Sequence, residues 1–217
     1  MKSIDHTIIQ VMYIPEFNRL TDRNEIVDFM KQFSFAYIIT AKNDLPVATP
    51  LPFLIKVKDE QIILSSHFAK ANDHWKDIEN KDILVIFSEP HAYISPVNYT
   101  KELNVPTWNY ISIHAYGKGK LITETDEIAK ILEATIDNYE STYRQQWDNF
   151  PEEYKLKMSK GIVAFEIVVT DIKAKKKLSQ NRTEEEKKRI IESLSKSNDS
   201  NEQHIAAYMK KEESIIN

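Results

Sequence analysis

Residues 35–66 read FAYIITAKNDLPVATPLPFLIKVKDEQIILSS, and this stretch decides the fold. It contains three runs rich in β-branched and aromatic residues, separated by short polar turns: runs at 35–41, 47–57 and 61–66, and turns at 42–44 and 58–60. Such runs bounded by Asn and Asp are typical of strands. Connections this short join antiparallel neighbours. The stretch therefore predicts three consecutive antiparallel strands.

The rest of the chain extends this pattern and adds helices. Further strands are predicted around 83–87, 92–95, 110–123 and 161–173. Helices are predicted from Asp22, whose side chain is placed to cap, and at 74–79, at 126–143, after Asn181, and marginally over 202–217. The glycines at 117 and 119 suggest a bulge or bend within the 110–123 strand. The sum is an α+β, mainly β protein: a closed or split antiparallel β-barrel with peripheral helices.

Composition bounds the class of protein. A chain of 217 residues, 41% hydrophobic and 29% charged, is long enough for one core with a short appendage. The net charge of −4 argues against a surface given over to nucleic acid, although a local basic patch stays open. Without cysteine there is no disulfide, thiolate nucleophile or Cys-ligated metal. No secretory signal or long apolar run is visible, so we expect a soluble cytoplasmic protein with no membrane partner.

Several familiar sites are excluded by residue type. The only glycines are at 117, 119 and 161, which leaves neither a G-x-G-x-x-G turn nor a P-loop. The six histidines are scattered, with no pair at the four-residue spacing of a metalloprotease helix. Binding of a ligand by strands and the loops between them remains.

The segment Ser65–Asn72 (SSHFAKAN) is the first candidate site. It is predicted to follow a strand and precede a helix, and it offers hydroxyls, an amide, a lysine and backbone N–H groups. These donors suit a phosphate group. The same residues also suit a plain strand-to-helix connection whose polar side chains cap the helix, and both interpretations stay open. Lys177 and Arg182 offer further positive charge to this or a neighbouring site.

Three clusters combine rings or prolines with polar side chains: His91–Pro96, Val105–Tyr110 and Lys177–Arg182. A stacking platform for a flat, polar-edged ligand would have this composition. An aromatic-rich strand with Trp108 in the core and Asn109 outside is the structural alternative.

A family resemblance is carried by longer motifs in chain order. They are Met12–Pro15 (MYIP), Ser66–Asn72 (SHFAKAN), Ile86–Pro96 (IFSEPHAYISP), Val105–Tyr110 (VPTWNY), His114–Lys118 (HAYGK) and Lys177–Arg182 (KLSQNR). The chain thereby resembles the PaiB family from residue 12 to about residue 195.

This resemblance implies an FMN-binding split barrel, related in fold to pyridoxamine 5'-phosphate oxidases and flavin reductases, and a homodimer with flavin at the subunit interface. FMN is the implied cofactor, ahead of heme. The family is described as negative transcriptional regulators, linked in Bacillus-type bacteria to protease synthesis and sporulation. The implied cofactor-binding residues are Ser65, Ser66, His67, Lys70 and Asn72 for the phosphate and ribityl chain, and Trp108, Asn109, Tyr110, Gln180 and Arg182 for the flavin edge or dimer contact.

The chain departs from the family pattern at two places. Pro50 stands where the family often has histidine, and Ala174–Lys177 (AKKK) stands where Gly-Lys-Phe-Lys is common. The resulting domain prediction is an N-terminal extension over 1–11, the FMN-binding domain over 12–195, and a polar linker with a terminal helix over 196–217.

Function is left with alternatives. A regulator would contact DNA through the segment 173–189, which contains eight lysines and arginines and three glutamates. No DNA-reading motif accompanies this charge. A flavin-dependent oxidoreductase acting on a small molecule is the alternative, since flavin itself supplies the redox chemistry. A flavin or heme sensor without turnover is the third possibility.

Overall fold

A computed structural model describes residues 12–216, and the side chains of residues 12–213. The predicted extension over 1–11 lies outside the described residues. Contacts divide the chain into two compact units. Unit 1 contains the chain up to Thr21, Pro90–Ile111 and the chain from Lys173 onward, and unit 2 contains Asp22–Glu89 and Ser112–Ile172. The predicted boundaries at 195 and 196 are not tested by this division and stay a prediction.

Strands dominate the described residues. They are β1 (Phe35–Lys42), β2 (Leu45–Pro52), β3 (Leu54–Lys58), β4 (Gln61–Ala69), β5 (Asp82–Phe87), β6 (His91–Ile94), β7 (Thr107–Ile122) and β8 (Ile162–Lys177). The α-helices are α1 (Arg23–Gln32), α2 (Thr125–Tyr139), α3 (Arg144–Asp148), α4 (Glu152–Ser159), α5 (Glu184–Ser195) and α6 (Ser200–Ile216). Among the described residues no helix is long and apolar enough to cross a membrane.

The sheet order is β2-β1-β5-β7-β8-β4-β3, with β6 paired to β7. Each pairing whose register is defined between these strands is antiparallel. No hydrogen-bonded pairing between the described strands joins β2 to β3, so the order has two open ends. The predicted α+β, mainly β, antiparallel fold is confirmed.

Two tight turns set the registers of the first hairpins. Asn43 and Asp44 have positive φ, as do Asp59 and Glu60. Two-residue hairpin turns need this conformation, which Asn and Asp tolerate better than most residues. Lys42 consequently pairs with Leu45, and Lys58 pairs with Gln61.

The predicted strand over 47–57 is wrong in one respect, because it is two strands. Phe53 separates β2 from β3, and its N–H donates to the carbonyl of Ser34 (2.8 Å). The Phe53 ring is 1% exposed and contacts Phe87 and Phe165 edge-on, with ring centroids 6.0 and 6.2 Å apart. Burying this ring in the core of unit 2 outweighs continued pairing of an unbroken strand.

The glycines of β7 have a different role from the predicted bulge. Ile83 pairs with Gly117 in regular register, so the strand continues through both glycines. A Cβ at Gly117 would clash with the Val168 carbonyl, and one at Gly119 would lie 2.6 Å from the carbonyl oxygen of Ile78. Close approach of neighbouring backbone is the reason for glycine here.

Helix α1 begins as predicted, since the Asp22 carboxylate accepts from the N–H of Glu25 (2.8 Å). Helix α2 ends at Tyr139 rather than 143, and α3 and α4 were not predicted.

In unit 1, α5 begins at a capping box formed by Thr183 and Glu186. Helix α6 buries Ile205, Ala206 and Met209. This burial differs from the expectation of a marginal terminal helix.

Candidate functional site

The Ser65–Asn72 segment is mostly strand rather than connection. Strand β4 continues to Ala69, and a short 3-10 helix begins at Asp73. The predicted strand ended at residue 66, and the prediction of a loop after it is wrong for residues 67–69, because they pair with residues 162–164 of β8.

Both serines of this segment are occupied internally. Ser65 is fully buried and its hydroxyl donates to Glu166 Oε1 (3.2 Å). The Ser66 hydroxyl donates to the carbonyl oxygen of Pro52 (2.7 Å). A hydroxyl has one proton to donate, so neither serine has a free donor for a phosphate group in this arrangement.

The other polar residues of the segment differ in availability. Asn72 caps the 3-10 helix, as its Oδ1 accepts from the N–H of His74 (3.1 Å). His67 is half-buried, and burial lowers the pKa of its ring. Lys70 is exposed, and no partner of its ammonium is found among the described residues. Lys70 is thus the cation of the segment that can meet an anion directly.

His74 lies beside this segment, and its role was not anticipated from the sequence. It is 4% exposed, with Nε2 2.9 Å from the hydroxyl of Thr40 and Nδ1 2.8 Å from that of Thr49. A neutral imidazole donates from one nitrogen and accepts at the other, and a hydroxyl can complement either. Burial lowers the pKa of His74, and Asp77 opposes that shift in part.

Unit 1 contains a cavity of about 380 Å³. No aspartate or glutamate is among its lining residues. These residues are Tyr13, Pro15, Phe17, Asn18, Val105, Pro106, Thr107, Asn109, Tyr110, Lys175, Lys177, Ser179, Gln180, Asn181 and Arg182. Rings, amides and cations together suit a flat, negatively charged ligand.

Three consecutive lysines on β8 are sorted by the strand's two-residue period. Lys175 and Lys177 line the cavity. The Lys175 ammonium lies 5.5 and 5.3 Å from the ring centroids of Tyr13 and Tyr110, and it donates to the Tyr13 carbonyl (3.3 Å). Lys177 donates to the hydroxyl of Thr107. Burial and the nearby charge of Lys175 lower the pKa of Lys177.

Four predicted residues line this cavity, namely Asn109, Tyr110, Gln180 and Arg182. The side chain of Asn109 is fully buried, and its Oδ1 accepts from the Ser179 hydroxyl (3.1 Å). The Gln180 amide accepts from the N–H of Leu178 (2.8 Å) and donates to the carbonyl of Lys176 (2.5 Å). These bonds fix the 177–182 turn, in which Ser179 has positive φ.

Arg182 is also engaged within unit 1. Its guanidinium stacks on the ring of Tyr99, 3.7 Å from the centroid, and Nη1 donates to Asn104 Oδ1 (2.9 Å). The structure thus brings Asn109, Gln180 and Arg182 together at one cavity, where their polar groups mainly hold its wall in place.

Trp108 does not line the cavity. Its side chain is 51% exposed and contacts His91 and Tyr93, with ring centroids 5.8 Å away in each case. The alternative that placed Trp108 in the core and Asn109 outside is therefore reversed.

The sequence interpretation missed Tyr13, Asn18 and Lys175 as neighbours of this cluster. Asn18 is 3% exposed and lines the cavity, and its Oδ1 has no hydrogen-bond partner in the part of the chain that the structure describes. The alternation of side chains along residues 175–177 was the available signal for Lys175. No comparable signal linked residues 13–18 to residues 175–182.

Comparison with known proteins decides the family. Residues 12–171 match the family model described as "Putative FMN-binding domain". The chain is also 39% identical over 203 residues to the "Protease synthase and sporulation protein PAI 2" of Bacillus subtilis (strain 168), covering 92% of this chain and 97% of that protein. The chain belongs to the PaiB family. FMN is the cofactor of this PaiB-type fold, as the family resemblance implied.

Two solved structures resemble the PaiB-type chain in fold. A flavocytochrome from Azotobacter vinelandii is 16% identical, with a TM-score of 0.59 over 76% of this chain and 72% of that one. A FAD- and heme-binding protein from Mycobacterium smegmatis is 15% identical, with a TM-score of 0.60 over 74% and 73%. At such identities the likeness concerns the fold alone, and the predicted split-barrel class is confirmed.

The titration of His74 generates a prediction about acid stability. Its folded-state pKa lies below the ordinary value of 6.5, so the unfolded chain binds more protons as the pH falls through 6.5. The free energy of unfolding should therefore fall below pH 6.5, and His74→Gln should reduce the slope by up to about 1.4 kcal/mol per pH unit. Urea denaturation from pH 8 to 5 measures this.

His67 and His114, whose pKa values burial also lowers, should account for part of the remaining slope. The control is the difference in the free energy of unfolding between wild type and His74→Gln at pH 8. The imidazole is neutral at that pH, so the substitution removes only its hydrogen bonds. An unchanged slope in the variant would contradict the assignment.

Proposed function

We propose that this FMN-binding PaiB-type protein acts as a negative regulator of transcription. The observation that carries the proposal is the 39% identity to PAI 2 of Bacillus subtilis over 97% of that protein, which is named a protease synthase and sporulation protein. In this role the protein holds FMN and acts in the cytoplasm.

For the phosphate of FMN we assign the segment Ser65–Asn72. Lys70 is its exposed cation, and His67 and Asn72 stand beside it in sequence. The serines would shape the site rather than donate to the phosphate, because both lie within β4 and their hydroxyl protons are already donated to Glu166 and Pro52.

For the flavin edge we assign Trp108, whereas the other predicted residues, Asn109, Tyr110, Gln180 and Arg182, line the cavity of unit 1. Trp108 suits a contact with the flavin because about half of its side chain is exposed, and it lies in an aromatic group with His91 and Tyr93. Exposed indole surface suits stacking on a flat ring. When bound, FMN supplies the capacity to accept and return electrons.

Loss of Lys70 should weaken FMN binding. Lys70→Ala removes a charge-assisted contact to phosphate worth about 1.5–3 kcal/mol, so the Kd should rise roughly 10- to 150-fold. Fluorescence titration of the protein with FMN measures the change. Lys58→Ala removes an exposed positive charge from the end of β3 in the same unit and should leave the Kd unchanged.

Equal affinity of wild type and Lys70→Ala would remove Lys70 from the site. If excess FMN is neither retained by the wild-type protein nor altered in fluorescence, the assignment of FMN to this chain fails altogether.

We propose that the protein is a homodimer. Phe35 and Tyr37 alternate with buried residues along β1 and are 65% and 52% exposed. Neighbouring exposed rings on one strand face form an apolar patch of the kind that a second copy covers. Sedimentation equilibrium should show a dimer, and Tyr37→Lys should shift it toward the monomer. A monomeric wild type at micromolar concentration would contradict the proposal.

The basic segment 173–189 is the proposed DNA contact, but few of its charges point outward. Lys175 and Lys176 are buried, Lys187 pairs with Glu184 (2.5 Å), and Arg189 pairs with Glu185 (3.5 Å). Lys188 is exposed. Paired lysines on a helix are usually a solvated face. This distribution of charge favours a second candidate function, a flavin-dependent oxidoreductase acting on a small molecule.

One pair of measurements separates the two functions. A regulator that contacts DNA through 173–189 should retard a DNA fragment in a gel at low salt and release it as salt rises. An oxidoreductase should bleach the flavin absorbance on anaerobic mixing with NADH or NADPH. Lys188→Glu should abolish the retardation without affecting the bleaching. Absence of retardation at low salt would exclude the DNA contact, and a flavin that never bleaches would exclude the nicotinamide-dependent reaction.

A further inference from the structure

Lys175 and Lys177 place two ammonium groups at one cavity with neutral partners only. Lys175 is held by the Tyr13 carbonyl and two rings, and Lys177 by the Thr107 hydroxyl. Neither lysine has a carboxylate partner among the described residues. No aspartate or glutamate is among the residues that line the cavity. Arg182 differs, since a carboxylate lies near it: hydrogen bonds from Thr100 and, to a smaller extent, the charge of Arg182 lower the pKa of Glu186.

Such a pair is unfavourable in a chain without a bound anion. Two like charges on one strand face repel, and desolvation disfavours each ammonium. Lys176, which lies between them in sequence, has a carboxylate partner, Glu212 Oε1 at 2.6 Å. The cavity-lining lysines therefore lack the counter-charge that their neighbour has.

A second observation, independent of the lysines, concerns Asn18. Its side chain is 3% exposed, lines the same cavity and has an amide oxygen with no partner among the described residues. A buried amide without a partner is unfavourable unless a bound molecule completes its hydrogen bonds. The rings of Phe17 and Tyr110 also line the cavity. Together these groups specify a flat ligand with an anionic end and a polar substituent.

We propose that this cavity binds a small flat organic anion, a carboxylate or phosphate, between Lys175, Lys177 and Asn18. The ligand is additional to FMN. FMN carries a single phosphate group, which the proposed function assigns to Ser65–Asn72, and none of those residues lines the cavity. The chain thus has two separate sets of anion-binding groups. The phosphate of FMN occupies the set at Ser65–Asn72, which leaves the set at the cavity for another anion.

The first test is calorimetric titration of the full chain, with and without saturating FMN. The probe is 4-hydroxybenzoate, and the neutral comparison is 4-hydroxybenzamide, which keeps the ring and hydroxyl but lacks the charge. The benzoate should bind at least about tenfold more tightly, as expected for a charge-assisted contact. Saturating FMN should leave its affinity unchanged.

Lys177→Met should lower the affinity for 4-hydroxybenzoate by about tenfold or more. Lys188→Met is the matched control, because it removes an exposed positive charge from the same basic segment, and it should leave the affinity unchanged. Asn18→Ala is a second variant that keeps both lysines, and it too should weaken binding.

Thermal melting without ligand adds a readout that a purely structural role of Lys177 would not produce. Removing an unbalanced charge should leave Lys177→Met at least as stable as wild type in low salt. A structural lysine would instead lower the melting temperature.

Specific results would overturn the proposal. Equal binding of the amide, or unchanged affinity in Lys177→Met, would show that the lysines do not hold an anion. Displacement of the probe by FMN would assign the cavity to the flavin. Binding of neither 4-hydroxybenzoate nor inorganic phosphate at about 10 mM would exclude a useful anion site. Because the titration is also run without FMN, these results are independent of whether the chain binds flavin.

Discussion

The alternation of side chains along β8 is the constraint on which unit 1 depends. A strand sends successive residues to opposite faces, so Lys175 and Lys177 share a face that Lys176 cannot reach. The first face becomes a wall of the cavity, and the second meets α6 through Glu212. A one-residue slip of register would turn both lysines away from the cavity and bring Lys176 toward it. The hydrogen-bonded pairing of this strand therefore fixes the charge of the cavity.

The parts of the fold that the sequence predicts correctly depend mostly on interactions between residues that are close in sequence. The turns at 43–44 and 59–60, the cap at Asp22 and the long apolar runs act within a few residues of each other. The errors arise where distant parts of the chain decide. Phe53 leaves its strand because its ring packs between Phe87 and Phe165, and neither neighbour is close in sequence.

The candidate site was harder to predict for the same reason. The sequence shows which side chains can donate hydrogen bonds. Whether a donor is free to bind a ligand depends on its partners elsewhere in the chain. The sequence predicts Ser66 as a phosphate ligand, but its hydroxyl proton is donated to the Pro52 carbonyl. Asn109 and Gln180 were correctly grouped, yet their amides are consumed by Ser179 and by the backbone of the 176–178 segment. The cavity lysines appeared in sequence as part of a basic run, and only the pairing of β8 separates them from Lys176.

The ion pair between Lys176 and Glu212 joins two parts of the chain that are distant in sequence. The two residues lie 36 positions apart, and their charged atoms are 2.6 Å from each other. An apolar side chain at position 176 would remove this contact from Glu212, and a neutral side chain at position 212 would remove it from Lys176. A chimera that joins β8 of this chain to α6 of a relative therefore keeps the contact only if that relative also supplies a carboxylate at position 212.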